Sequence, residues 1–274
     1  MAATKKAKSS NAAANESRRQ VLRATIDSVI KAHFSSTLGT QDDIVNIFLA
    51  LTHLESHFNV NARGPLVSET VSSGARDYWN STPVKNILAN GSAQQKANLI
   101  AGKRALGVAQ IMGWNVVRGA SVKNGKCEVE KHRPDLAGLL CVDAGDDLEA
   151  KFLGEQNLVH AVTAGLVILE SKWKAVSKTA DGWKAGQMVF PLRISGAVAA
   201  YLGLGKADVV TGMTPQAYSS SIVGGSHYLA ANGASAPNIR DSNVQYASSS
   251  AKGPKITVAS AQNKKPSGCV SSTA

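Results

Sequence analysis

Residues 42–62 read DDIVNIFLALTHLESHFNVNA, and the fold follows from this stretch. Ile44, Ile47, Phe48 and Leu51 recur at i, i+3, i+4 and i+7, and Leu54 extends the same apolar face. That spacing predicts a helix over 42–58, with Phe58 at its far end. Thr40-Gln41-Asp42-Asp43 supplies a start signal: Thr40 as N-cap, Asp43 three residues later, and acids in the first turn. Glu55 stands seven residues after Phe48 and four after Leu51, so it projects from the apolar stripe near the helix end. Desolvation of a carboxyl group there raises its pKa and keeps it protonated nearer neutral pH, the condition a general acid needs. The same position also suits a structural Glu that pairs with a buried Arg or caps a neighbouring helix. His53 and His57 lie off the stripe and read as surface residues.

Working outward, Val21, Leu22, Ile26, Val29 and Ile30 predict an amphipathic helix from Glu16 to about Phe34, ended by Gly39. Downstream, Gly64-Pro65, Thr82-Pro83 and Asn90-Gly91 mark turns, with short helical patches between them such as 93–100. Residues 105–118 (ALGVAQIMGWNVVR) are apolar and read as helical after Gly107. A polar loop follows over 121–147, then helical patterns at 148–173, 194–202 and 215–229. From Ala230 onward Ser, Ala, Gly, Asn and Lys dominate, which marks a flexible tail. The expected fold class is all-α. One helical domain over 16–234 lies between a disordered basic arm, 1–15, and a flexible basic tail, 235–274.

Composition agrees: aromatics are 5% of the 274 residues while Ala, Gly and Ser abound, a mix that favours close-packed helices over an aromatic-rich β-sandwich. The formal net charge is +11, but residues 16–235 hold 22 basic and 18 acidic side chains and so carry only +4. Much of the charge therefore sits in the arm, through Lys5, Lys6 and Lys8, and in the tail. Such arms are solvated or touch a polyanion; nucleic acid, teichoic acid and anionic lipid fit equally. Cys127, Cys141 and Cys269 are too few for a disulfide scaffold, and no CxxC pair signals a zinc knuckle. Cys127 and Cys141 can bridge one loop in an oxidising compartment, although three free thiols are the preferred reading. The basic N-terminus lacks the apolar run of a classical signal peptide, and no apolar stretch is long enough to span a membrane.

The text around Glu55 resembles the catalytic segment of the lytic transglycosylases and their goose-type-lysozyme relatives. There a helix ends in Glu-Ser, followed by an aromatic residue, Asn and Ala; Glu55-Ser56, Phe58-Asn59 and Ala62 match in order and spacing. A second block, Gly107, Gln110, Ile111 and Met112, is similar to the family's Gly-x-x-Gln-Ile-Met segment. A weaker third is Ala164-Gly165 with Leu169, in a helix after Asn157. A fourth, around Tyr201 and Gly205, resembles Ala-Tyr-Asn-Ala-Gly-x-Gly, with Leu202 in place of the Asn; Tyr218 sits where the family often has a late Tyr. The family crosses from the first block to the second in far fewer residues, so 65–104 reads as an insertion.

The resemblance implies a lysozyme-like domain with a substrate cleft and cleavage of the bond between N-acetylmuramic acid and N-acetylglucosamine by one acid/base, Glu55. It implies that Tyr201 hydrogen-bonds Glu55, that Gln110 and Met112 line the glycan cleft, and that Ser56 orients the helix end or the cleft. It implies no cofactor and no metal. Met112 and Tyr201 also read as ordinary core residues, and Ser56 as a local backbone-bonding residue. A hydrolytic lysozyme or endolysin would need a second carboxylate, for which Glu69 and Asp77 are nearest in sequence; Trp79 offers a ring for stacking on sugar or for packing. A non-enzymatic alternative is a basic virion structural or nucleic-acid-binding protein. The expected partners are peptidoglycan strands, other virion proteins and, through the tails, nucleic acid. The expected setting is a bacteriophage particle acting on the periplasmic wall during genome entry.

Overall fold

α1 (Ala2–Val29) continues through a π-helical turn, Ile30–Phe34, and buries Leu22, Ile26, Val29, Ile30 and Phe34. Val21, expected on that face, is exposed. α2 (Asp42–Ser56) follows, then α3 (Ser73–Asn80), α4 (Thr82–Asn90), α5 (Ala93–Asn98), the strands β1 (Ala105–Leu106) and β2 (Ile111–Met112), α6 (Glu128–His132), α7 (Ala137–Leu140), α8 (Leu148–Phe152) and α9 (Leu158–Ala175). The order closes with β3 (Ser177–Thr179), β4 (Gly182–Ala185), β5 (Met188–Phe190), α10 (Arg193–Leu202), α11 (Pro215–Ile222) and α12 (Ser226–Asn232). This computed structural model describes residues 2–38, 42–120, 124–204 and 212–233, with side chains from Glu16 onward in α1 and from Asp43 in α2. The expected stop at Gly39, cap at Thr40, match at Gly205 and tail over 235–274 lie outside the described residues, as do the side chains of the expected arm, 1–15.

The chain is mostly helical, with two small sheets that the all-α reading does not contain. It divides into two compact units. The first takes residues up to Leu54 and from Ile168 onward; the second is Glu55–Val167, so the division falls within α2 and α9.

In the first unit, α2 is buried on every side from Asp43 to Thr52, polar Asp43, Asn46 and Thr52 included. The expected single stripe is thus a central helix, and its polar groups need partners. Thr52 donates back to Leu49 O at 2.8 Å, Asn46 Oδ1 accepts from the Arg23 guanidinium, and Asn46 O accepts from Asn232 Nδ2 at 3.1 Å. α10 is equally enclosed: Ile194 through Ala200 are all buried, which small side chains permit. Against it lies the antiparallel meander β3-β4-β5, with Lys178 opposite Trp183 and Trp183 opposite Phe190. Sequence reading missed this sheet, although Asp181-Gly182 and Gly186-Gln187 are turn signals flanked by short alternating runs. Arg193 sits over Trp173 and Trp183, with its carbon 4.8 and 5.3 Å from the ring centroids, and donates to Trp173 O.

In the second unit, residues 105–118 are not helical after Gly107. β1 and β2 form a hairpin with Leu106 opposite Ile111, and a tight turn follows over Gly113–Asn115. Gly107 and Gln110 take left-handed backbone conformations, φ +70 and +48, which end a helix rather than extend it. The region read as a polar loop folds as α6, a short turn and α7, and Cys127 and Cys141 form a disulfide, which corrects the preference for free thiols. The single helix expected over 148–173 breaks at Gly154 (φ +89) into α8 and α9. Residues 65–104, expected as an insertion, contribute to this unit's core. Tyr78 is buried, its hydroxyl donates to Leu99 O at 2.9 Å, and burial pushes the phenol's pKa up. Its ring lies over Gly102, where any Cβ would meet it at 2.1 Å.

Phe48 is fully buried at the centre of α2. Phe48→Ala should cost about 3–5 kcal/mol in urea unfolding, in line with large-to-small core truncations. A change below about 1 kcal/mol would show that the helix is not a core element.

Candidate active site

Burial along α2 ends at its last turn: Leu54 is buried, His53, Glu55 and Ser56 are half-buried, and His57 is exposed. Glu55 therefore stands where a core helix emerges, with part of its surface open to solvent. Ser56 Oγ donates to Val108 O at 2.9 Å and fastens the helix end to the β1–β2 turn. The chain then reverses through two consecutive left-handed residues, His57 (φ 51) and Phe58 (φ 62). Non-glycine residues avoid this region, so its use twice in succession is a local cost held by the surroundings. Burial of Phe58 helps hold it, as do the short turns made by Asn59 N–H to Ser56 O (3.0 Å) and Ala62 N–H to Asn59 O (3.1 Å).

The segment that follows pairs with the hairpin. Gly107 N–H donates to Ala62 O at 3.0 Å, Gly64 N–H to Ala105 O at 2.8 Å, and Val67 N–H to Lys103 O at 2.8 Å, with Arg63 opposite Leu106. The two motif blocks, 55–62 and 107–112, are thus joined backbone to backbone. Gln110 braces its own turn: its Nε2 and its backbone N–H both donate to Gly107 O, at 2.8 and 3.1 Å. Met112 is half-buried in β2, opposite Ala105. Asn157, of the third block, caps the end of α8 by donating to Ala150 O (2.6 Å) and Leu153 O (2.7 Å), while Gly154 N–H donates to Val60 O. Glu149, in α8, takes a two-pronged contact from Arg63 at 2.9 and 2.7 Å, with Arg104 at 3.9 Å.

Tyr201 belongs to the first unit, half-buried at the end of α10, and Tyr218 is buried in α11 of that unit. Glu69 is tied to Lys103 at 3.2 Å, and Lys103 lies 4.5 Å over the Trp79 ring, so one face of that indole is covered by a cation; Asp77 is exposed.

Sequence reading placed His53 on the surface, but its Nδ1 is 2.9 Å from Nδ1 of His227 and the ring is half-buried. It also overlooked Glu170, at 1% exposure the most buried acid described. Its signal was present: an acid directly after Leu166-Val167-Ile168-Leu169. Glu170 accepts from the Thr37 hydroxyl and lies 3.3 Å from Lys174 Nζ. Its Oε2 is buried and answered by the Lys174 charge rather than by a hydrogen bond, whereas Glu55 keeps contact with solvent. Among the described residues, Cys127, Glu130 and Cys141 could together hold a metal, but both sulfurs are committed to the disulfide.

Comparison of the chain with protein-family models, curated proteins and solved structures finds no match.

Gly107 is the tightest point of the site. A Cβ there would stand 2.8 Å from Phe152 O and 3.1 Å from Ala161 Cβ, on a left-handed backbone. Gly107→Ala should therefore cost at least about 1–3 kcal/mol and lower Tm measurably. An unchanged Tm would mean that this turn is not closed on α8 and α9.

Proposed function

We propose that this chain cleaves peptidoglycan as a lytic transglycosylase, through a lysozyme-like domain in which Glu55 is the single acid/base. One observation carries the reading. Glu55 stands half-open to solvent at the end of a helix that is buried from Asp43 to Thr52, and residues 107–108 are hydrogen-bonded onto the residues beside it. A catalytic acid must be dry enough to hold its proton and open enough to meet a sugar oxygen.

In the proposed reaction Glu55 gives its proton to the oxygen between N-acetylmuramic acid and N-acetylglucosamine, and the C1–O bond breaks. The muramyl acetamido oxygen stabilises the charge that develops on C1. The Glu55 carboxylate then takes the proton from the muramyl 6-hydroxyl as that oxygen bonds C1, closing the 1,6-anhydro ring. The proton balance returns Glu55 to its starting form, so a second carboxylate is not needed. Gln110 presents its amide oxygen, since its nitrogen serves the turn, and Met112 offers a soft apolar edge to the glycan. Glu69 is paired with Lys103, and the reading calls on neither it nor exposed Asp77 as a second carboxylate. The excess positive charge of the sequence at its two ends fits attachment to an anionic partner, in keeping with delivery by a phage particle. Among the described residues no helix is long and apolar enough to cross a membrane.

Glu55→Gln should lower clearing of purified peptidoglycan by about 10²–10⁴-fold, the usual contribution of a general acid/base, with little change in Tm. Equal clearing by wild type and variant would remove Glu55 from the mechanism.

A further inference from the structure

The disulfide lies beside the candidate site along the chain, and its position shows what it holds. Cys127 and Cys141 are 0% and 4% exposed and close a loop with a sequence separation of 14. The backbone next to each cysteine grips the same short run, 116–119. On one side Gly119 N–H donates to Lys126 O at 2.9 Å. On the other, Arg118 N–H donates to Val142 O at 2.9 Å and Val142 N–H to Val116 O at 2.9 Å. That run is reached from β2 through the single turn Gly113–Asn115, and Gly113 N–H returns to Arg104 O at 3.0 Å. The covalent link therefore cinches both flanks of the loop against the run 116–119, which follows β2 after one turn.

Besides these backbone bonds and the Arg118–Asp143 ion pair at 3.1 Å, the loop between the cysteines has few anchors of its own. α6 and α7 are five and four residues long, too short to persist without outside support, and the loop's buried apolar anchors between the cysteines are Val129, Leu136 and Leu140. Closing such a loop covalently removes freedom from its open state. Glu130 donates its N–H to Cys127 Sγ at 3.3 Å, and its carboxylate oxygen lies within 4.8 Å of both sulfurs. A nearby negative charge disfavours a thiolate, so this pair is built to stay closed rather than to exchange rapidly as a redox catalyst does.

We propose that the Cys127–Cys141 bond is a compartment lock on the β1–β2 hairpin: the hairpin is fully ordered when the pair is oxidised, outside the reducing cytosol, and loosened when it is reduced. Closing the lock forms one S–S bond from two thiols. The two electrons and two protons pass to a small disulfide such as oxidised glutathione, which leaves as two thiols. The consequence for catalysis rests on the proposed peptidoglycan activity; the lock itself does not.

The test is amide hydrogen exchange on the full chain carrying Cys269→Ser, so that only this pair reacts. It is run oxidised, after reduction with tris(2-carboxyethyl)phosphine, and after reoxidation with oxidised glutathione. Reduction should speed exchange at Arg118, Gly119, Val142 and the hairpin amides of 105–113 by about tenfold or more, leave α10 unchanged, and be reversed by reoxidation. A Cys127→Ser/Cys141→Ser variant should stay in the fast state under either condition. Unchanged exchange on reduction overturns the proposal. Equal acceleration in α10 also overturns it, since the bond would then support global stability. Peptidoglycan clearing is measured on the same samples. Absence of clearing in every state would sink the enzymatic reading while leaving the exchange result to decide the lock.

Discussion

The arrangement depends on how the chain leaves α2. A helix buried from Asp43 to Thr52 has to end and turn sharply, and it does so through two left-handed residues that no glycine relieves. What makes that turn tolerable is the hairpin beside it. Val108 O takes the Ser56 hydroxyl, Ala62 O takes the Gly107 amide, and Gly107 has no side chain to keep Phe152 and Ala161 away. Loss of any of these would free the reversal at His57–Phe58, and with it the direction in which Glu55 points. Strain of this kind gathers where a side chain must be held in one pose.

Two acids show what burial does to a carboxylate. Glu170 is nearly inaccessible and is answered locally, by the Thr37 hydroxyl and the Lys174 ammonium, so it is anchored for structure. Glu55 is half-covered at a helix end. A group that must give and retake a proton cannot be sealed like Glu170, nor left as wet as Asp77. The difference between them lies in position along their helices rather than in composition.

Helix periodicity was legible for α1 and α2, which show an apolar repeat near 3.6 residues, and α10 was legible as an Ala-rich run, whereas the one helix expected over 215–229 breaks at 223–225 into α11 and α12. The single stripe expected for α2 was too narrow: Asn46 and Thr52 are buried as well, their polar groups met by Arg23, Asn232 and the Leu49 carbonyl, which a one-dimensional pattern does not display. The hairpin at 105–112 was misread because an apolar run of that length suits helix and strand equally; Gly107 and Gln110, both at positive φ, decide it. The meander over 177–190 was missed although Asp181-Gly182 announced it, since strands of three or four residues carry too few alternations to stand out. The proximity of the residues around Glu55 and Gly107 was not legible, as the pairing of 62–67 with 103–107 is long-range backbone hydrogen bonding that leaves no periodic trace.

The segment 65–104 is anchored through Tyr78, Gly102 and the Asn98 amide, which donates to Gly145 O at 2.9 Å, so it belongs to the body of its unit and not to a loose loop. Within it Glu69 pairs with Lys103, and Lys103 lies over the Trp79 ring, while Asp77 is exposed. The most direct measurement is digestion of purified peptidoglycan in water enriched in oxygen-18, followed by mass spectrometry of the muropeptides. One-carboxylate chemistry predicts 1,6-anhydro products that carry no heavy oxygen. Reducing-end products labelled with oxygen-18 would contradict it, because water and not the muramyl 6-hydroxyl would then have attacked C1.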